Sequence, residues 1–189
     1  MMGISILCGG KNSRMGEEKG LLLWQKKRFI DHILEAVEPF STEIHLIHNG
    51  INFSDLPYPI IKDIYVEKGP LGGIHSALVH STFEKNLILS CDMPLVTKEY
   101  IAYFLSEVNE NNQISVAQTN KKIHPLCGIY SKSVLKELQK RIKDNDLKLI
   151  NFILARDSQQ IEITPKYASC LSNINSKEDL IDLKKRYEY

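Results

Sequence analysis

The sequence predicts a single three-layer α/β domain built on a mainly parallel sheet, and three observations carry that expectation. Short apolar runs of strand length alternate with segments whose apolar residues recur at three and four positions. Repeated strand–helix–strand units of this kind build parallel sheets covered on both faces. The 189 residues, 43% hydrophobic and 25% charged, suffice for one substantial core and fall short of two full domains. No Gly/Ser/Pro-rich linker, low-complexity stretch or internal repeat divides the chain, so residues 1–189 read as one unit.

Taken in order, residues 3–8 form a β-rich first strand that stops at Gly9-Gly10. Ile30, Ile33, Leu34 and Val37 share one helical face, which predicts a helix over residues 27–38 ended by Pro39. Residues 44–47 make a second strand, and Ile60-Ile61 begin a third that ends near Asp63. Pro70 suits the first turn of a helix carrying Ile74, Ala77 and Leu78. Residues 86–91 are an almost unbroken apolar run closed by Asp92, the pattern of a fully buried strand.

Thr97 then offers an N-cap to a helix with Ile101, Phe104, Leu105 and Val108 on one side. Strands are expected near 114–117 and 126–130, with helices over about 131–142 and 147–155. A strand near 161–163 and a helix from about Ser176 complete the chain.

The totals exclude several function classes. Twenty-four basic and 23 acidic residues give a net charge of +1, which argues against a protein holding nucleic acid by a global positive field. No apolar run approaches a membrane span, and the N-terminus lacks the basic region of a signal peptide. Cys8, Cys91, Cys127 and Cys170 form no CxxC pair, so neither a zinc site nor a redox motif is signalled. A cytoplasmic protein with reduced cysteines, binding neither nucleic acid nor membrane, is the expectation.

In open α/β sheets, ligands bind beyond the carboxyl ends of the strands near a switch in strand order. The residues at those ends here are Gly9-Gly10, Asn49-Gly50, Asp63 and Asp92. Seven of the ten glycines lie in two stretches, residues 9–20 and 69–73. The first stretch also holds Arg14 and Lys19; glycine amides can approach phosphate oxygens, Arg14 can fork two of them, and Lys19 adds a compact charge. Residues 9–28 contain six basic side chains against Glu17 and Glu18, so the near-neutral total conceals a local positive charge. The stretch is neither a Walker A loop, since no Lys-Ser/Thr pair follows Gly16, nor a GxGxxG turn.

The run Leu7-Cys8-Gly9-Gly10-Lys11-Asn12-Ser13-Arg14-Met15-Gly16-Glu17-Glu18-Lys19-Gly20-Leu21-Leu22 resembles the opening signature of nucleoside-triphosphate-using nucleotidyltransferases. Its glycine pair is similar to that of the molybdenum cofactor guanylyltransferases (MobA type), with Cys8 where that family usually has alanine. Asp63 followed by Gly69-Pro70-Leu71-Gly72-Gly73, then Cys91-Asp92-Met93-Pro94, His124-Pro125, and Asn173-Ile174-Asn175 before Glu178-Asp179-Leu180 resemble four further family blocks in the family's order.

That resemblance implies a Rossmann-like domain of the nucleotide-diphospho-sugar transferase type. Residues up to about 95 would bind the nucleotide, and residues from about 96 to 189 the acceptor. It implies that Arg14, Lys19 and Asp92 are catalytic, with Asp92 the ligand of a Mg²⁺ cofactor. Leu7, Cys8, Gly9, Gly10, Arg14, Lys19, Asn49, Asp63, Gly69, Pro70, Leu71, Gly72, Asp92, Asn173 and Asn175 would line the ligand site. His48 is an alternative to Asn49, and His124 would border the acceptor.

Each motif also has a plainer reading. Gly72-Gly73 could serve close packing, Asp92 could cap the turn toward Thr97, and Ser176 with Asp179 could cap the last helix.

The implied reaction is transfer of GMP from GTP to Mo-molybdopterin, giving the guanine dinucleotide cofactor and pyrophosphate. A monomer is implied, meeting partner proteins that deliver molybdopterin and molybdoenzymes that receive the product. A cytidylyl- or sugar-phosphate nucleotidyltransferase of the same fold is the nearer alternative. A non-catalytic GTP-binding protein for cofactor handover is the alternative from another class.

Overall fold

Every residue of the first strand, β1 (Gly3–Leu7), is buried, because it is an interior strand of a sheet covered by helices on both faces. Its side chains divide by the two-residue period: Ile4 and Ile6 enter one apolar layer and Leu7 the opposite one. The computed structural model describes residues 1–9, 19–50 and 53–187. After a 3-10 turn at Lys19–Leu21 comes a small hairpin of β2 (Leu23–Trp24) and β3 (Lys27–Arg28), leading into α1 (Phe29–Val37). Helix α1 buries Ile30, Ile33, Leu34 and Val37, the face that the spacing predicts.

The helix expected from residue 27 begins two residues later, because Gln25 and Lys26 (φ 48° and 64°) make a tight turn that pairs Trp24 with Lys27. Strands β4 (Ile44–Ile47) and β5 (Ile60–Ile61) follow, then α2 (Gly69–His80) and β6 (Lys85–Ser90). Helix α3 (Lys98–Ser106) is capped by Thr97, whose hydroxyl accepts from the Tyr100 amide at 3.2 Å, as the sequence predicts.

Strands β7 (Ile114–Thr119) and β8 (Lys122–Ser131) form a hairpin across Asn120 and Lys121, both at positive φ. Helices α4 (Leu135–Lys143) and α5 (Leu149–Leu154), strand β9 (Ser158–Glu162) and α6 (Lys177–Tyr187) complete the order. No helix among the described residues is long and apolar enough to cross a membrane.

The seven-stranded sheet runs β5-β4-β1-β6-β8-β7-β9. Four of its six pairings are parallel and the two made by β8 are antiparallel, so the mainly parallel expectation holds with one reversed strand. On one face α1 and α3 pack over Ile4, Leu46, Leu87 and Leu89. On the other, α2, α4 and α5 cover Leu7, Ile47, Ile88 and Tyr130. All four cysteines are buried and outside any disulfide, acting as small apolar side chains.

A third apolar cluster lies at the end of the sheet, where Leu22, Trp24 and Phe29 meet Ile174 and Leu183. It fastens the loop before α6 to the hairpin that follows the first glycine stretch. Residues about 150 positions apart are thereby brought together.

Candidate functional site

From β1 the chain passes through α1 to β4 and β5 on one flank, then returns over α2 to β6 on the other. The change of direction opens a crevice beyond the carboxyl ends of β1 and β6. Leu7 and Ser90 are register partners, and the Cys91 amide donates to the Leu7 carbonyl at 3.1 Å. Gly9 and Asp92 therefore emerge side by side.

Asp92 is only 7% exposed, and both carboxylate oxygens and the backbone carbonyl are engaged. Its Oδ2 accepts from Lys19 Nζ at 3.0 Å, and its Oδ1 accepts from Asn173 Nδ2 at 2.7 Å. Its backbone carbonyl accepts from the Ile174 amide at 2.9 Å. Lys19 Nζ donates a second time, to Asn175 Oδ1.

The segment 173–175 is thus clamped on the end of β6 by main chain and side chain, with Ile174 anchored in the third apolar cluster. A reciprocal cap then starts α6: the Ser176 amide donates to Asp179 Oδ2 (2.9 Å) and the Asp179 amide to Ser176 Oγ (3.1 Å). The capping reading of Ser176 and the clustering of both asparagines at Asp92 hold together.

A second polar group lies along the same edge of the sheet, beyond β4 and β5. Asn49 Nδ2 donates to Asp63 Oδ2 at 2.7 Å, and the Asp63 amide donates to Asn49 Oδ1 at 2.8 Å. Asp63 Oδ1 is buried and has no hydrogen-bond partner among the described residues. Burial raises this carboxyl above its usual value, against the opposing Asn49 hydrogen bond. His48, the alternative to Asn49, turns inward: its Nδ1 accepts from the Gly50 amide at 2.7 Å, and its ring packs edge-on against Phe53.

The first turn of α2 stands over this group. Gly69 adopts φ +58° and opens the turn, with Pro70 exposed beside it. A Cβ on Gly72 would lie 2.7 Å from the Tyr65 carbonyl, and one on Gly73 would lie 2.6 Å from Leu7 Cδ2. Close packing thus accounts for both glycines, the plainer reading offered by the sequence.

Several expected site residues present only main chain to a ligand. Leu7 and Leu71 belong to the core, and the Cys8 thiol, 2% exposed, points back to the Ile6 carbonyl at 3.6 Å. Gly9 is exposed with open space around its α-carbon, whereas Gly10 and Arg14 lie outside the described residues. His124 is buried on β8, where its Nε2 is 2.7 Å from Thr119 Oγ1. Burial, aided by the nearby Lys122 charge, holds its imidazole below the usual value.

Among the described residues, no group of three or more His, Cys, Asp or Glu side chains could hold a metal. Mg²⁺ does not need one, since it commonly takes one or two carboxylates together with waters and substrate phosphates. Asp92 Oδ2 and Asn175 Oδ1 already converge on a single cationic atom, Lys19 Nζ. Two hard oxygens aimed at one cation fit a Mg²⁺ ligand set.

Sequence reading missed the hydrophobic cluster that brings Asn173 and Asn175 to Asp92. Leu22, Trp24 and Phe29 fall in a segment too short and irregular to show a period. The only available signal was the apolar Ile174 standing between two asparagines.

Comparison with known proteins bears on the whole of this arrangement. A family model described as the MobA-like NTP transferase domain matches residues 4–160. A probable molybdenum cofactor guanylyltransferase of Flavobacterium johnsoniae is 44% identical over 178 residues, covering 94% of each chain. A crystal structure of a protein from Aquifex aeolicus superposes with a TM-score of 0.80 at 32% identity, covering 93% of this chain and 94% of that one. Molybdopterin-guanine dinucleotide biosynthesis protein A from Archaeoglobus fulgidus has the same fold, with a TM-score of 0.84 at 22% identity over 98% of both chains. On its sequence and its fold together, this chain belongs to the MobA-like NTP transferase family.

Proposed function

We propose that the protein transfers GMP from GTP to the terminal phosphate of Mo-molybdopterin, releasing pyrophosphate and forming the guanine dinucleotide. The observation that carries this reading is the polar group at the switch-point crevice, where Lys19 and Asn173 both donate to Asp92 and Lys19 joins Asn175 to it. The name of the Flavobacterium relative, at 44% identity over nearly the whole chain, supports the choice of guanylyl transfer.

The attacking group is a phosphate oxygen already ionised at neutral pH, so no general base is required. The protein's work is alignment and charge neutralisation around the α-phosphorus. Lys19 donates to the triphosphate, joined by Arg14 and the amides of Gly9 and Gly10. Asp92 and Asn175 provide oxygens for Mg²⁺, which when bound neutralises phosphate charge and polarises the reacting phosphoryl group. Asn173 holds the Asp92 carboxylate in one orientation through its 2.7 Å hydrogen bond.

Asn49, Asp63 and the first turn of α2, from Gly69 to Gly72, form the nucleoside wall. Residues up to about 95 hold the nucleotide and the remainder the acceptor, except that Asn173 and Asn175 reach back across the sheet. The enzyme works as a cytoplasmic monomer that receives molybdopterin from one partner protein and passes the dinucleotide to another.

A thermal-shift panel of GTP, CTP, UTP and ATP with Mg²⁺ tests the nucleotide assignment. A ligand at a hundred times its Kd stabilises by about 2.7 kcal/mol, which for a chain of this size raises Tm by roughly 5–10 °C. That shift is expected for GTP and not for CTP; a larger shift with CTP overturns the assignment.

A further inference from the structure

Lys19 Nζ bridges two oxygens that come from distant parts of the chain, Asp92 Oδ2 on the end of β6 and Asn175 Oδ1 before α6. The Lys19 and Asp92 side chains are only 19% and 10% exposed, so the bridge is shielded. Asp92 is fixed independently of the lysine, through Asn173 Nδ2 and the Ile174 amide. The lysine, by contrast, sits on a four-carbon stem with three rotatable donors and belongs to the basic glycine stretch. A compact cation held by two hard oxygens stands where a divalent cation would be held by the same two atoms. Both cations cannot share that place.

We propose that Lys19 is a built-in cation that holds the metal position of the nucleotide-free enzyme and moves to the triphosphate as nucleotide and metal enter. This rests on the reading of the crevice as a metal–triphosphate site. Without nucleotide, a divalent cation competes with an ammonium tethered at high effective concentration. With nucleotide present, the lysine gains an anionic partner and releases Asp92 and Asn175. Metal and nucleotide therefore bind with positive coupling, and Lys19 is the element that couples them. The same exchange keeps Asp92 from being an unpaired, shielded carboxylate in the resting enzyme.

The test uses Mn²⁺ as the probe, titrated into the intact nucleotide-free protein and followed by electron paramagnetic resonance. Lys19→Met and Lys19→Gln are expected to bind Mn²⁺ at least ~10-fold more tightly than wild type, the factor for one charge-assisted hydrogen bond removed from competition. The same variants are expected to bind GTP at least ~10-fold more weakly at saturating Mn²⁺. Adding Asp92→Asn to Lys19→Met should abolish the gained Mn²⁺ binding.

Unchanged or weaker Mn²⁺ binding by both single variants overturns the proposal, as does a gain that survives Asp92→Asn. Loss of the folded state in both also overturns it, because a side chain that must leave in each turnover cannot be what holds the fold. The Mn²⁺ result is read without nucleotide or molybdopterin. Its failure therefore stands apart from a failure of guanylyl transfer, which would leave the Mn²⁺ gain intact.

Discussion

Replacing Asn173 by alanine separates the orientation of Asp92 from its charge. The substitution removes one hydrogen bond, Asn173 Nδ2 to Asp92 Oδ1 at 2.7 Å. It leaves the Ile174 amide on the Asp92 carbonyl, Ile174 in its apolar cluster and the Ser176–Asp179 cap. The loop therefore stays docked while the carboxylate gains freedom to turn.

A hydrogen bond to an ionised group is worth about 1.5–3 kcal/mol. If that energy is realised in the transition state, kcat falls by about 10- to 150-fold while KM for GTP stays within about two-fold. The assay is the initial rate of pyrophosphate release at saturating GTP and Mo-molybdopterin, with Tm measured on the same sample. A kcat within about two-fold of wild type, with Tm unchanged, would remove Asn173 as the residue that positions Asp92. A kcat loss that merely tracks a fall in Tm would refute the reasoning equally.

The same geometry sets three other expectations. Asp92→Ala abolishes transfer while leaving the circular dichroism spectrum of the folded protein; wild-type-like turnover in Mg²⁺ buffer would end its assignment as the metal ligand. Gly72→Ala puts a Cβ 2.7 Å from the Tyr65 carbonyl. Because the Cβ meets a backbone carbonyl that cannot swing aside, overpacking falls at the upper end of its range, about 2–3 kcal/mol. About 1 kcal/mol of helix propensity offsets it, leaving a net loss of about 1–2 kcal/mol; a Tm equal to wild type would refute it. Burial holds His45, His75 and His124 below the ordinary imidazole value of 6.5. As pH falls below 6.5 the unfolded chain takes up protons first, so each of these histidines removes up to ~1.4 kcal/mol of stability per pH unit. Urea unfolding at pH 7.5, 6.5 and 5.5 should show that decline, and stability that is flat to pH 5.5 would contradict it.

Much of the fold is legible because its signals are local. Residues 86–91 read as a buried strand from their unbroken apolar run, and β6 occupies Lys85–Ser90. Thr97 reads as a cap from its chemistry and its place before a periodic segment, and it caps α3.

The two hairpins escaped notice because their turns are Gln25-Lys26 and Asn120-Lys121, neither with the glycine that usually marks a two-residue turn. The reversed strand β8 was hidden for the same reason, since a helix-linked reading assumes parallel neighbours. At the site, Asp92 and Lys19 could be chosen from motif and strand end. The contact between Asp92 and Asn173 spans 81 positions and depends on the cluster of Trp24, Phe29 and Ile174, which no local pattern announces.

The central claim is that this crevice moves a guanylyl group onto molybdopterin. Its most direct measurement is pyrophosphate release by the purified protein, with and without Mo-molybdopterin, comparing GTP with CTP in Mg²⁺ buffer. Release is expected with GTP only when the acceptor is present, and little is expected with CTP. Acceptor-dependent release that favours CTP, or GTP binding with no release under any condition, would contradict it.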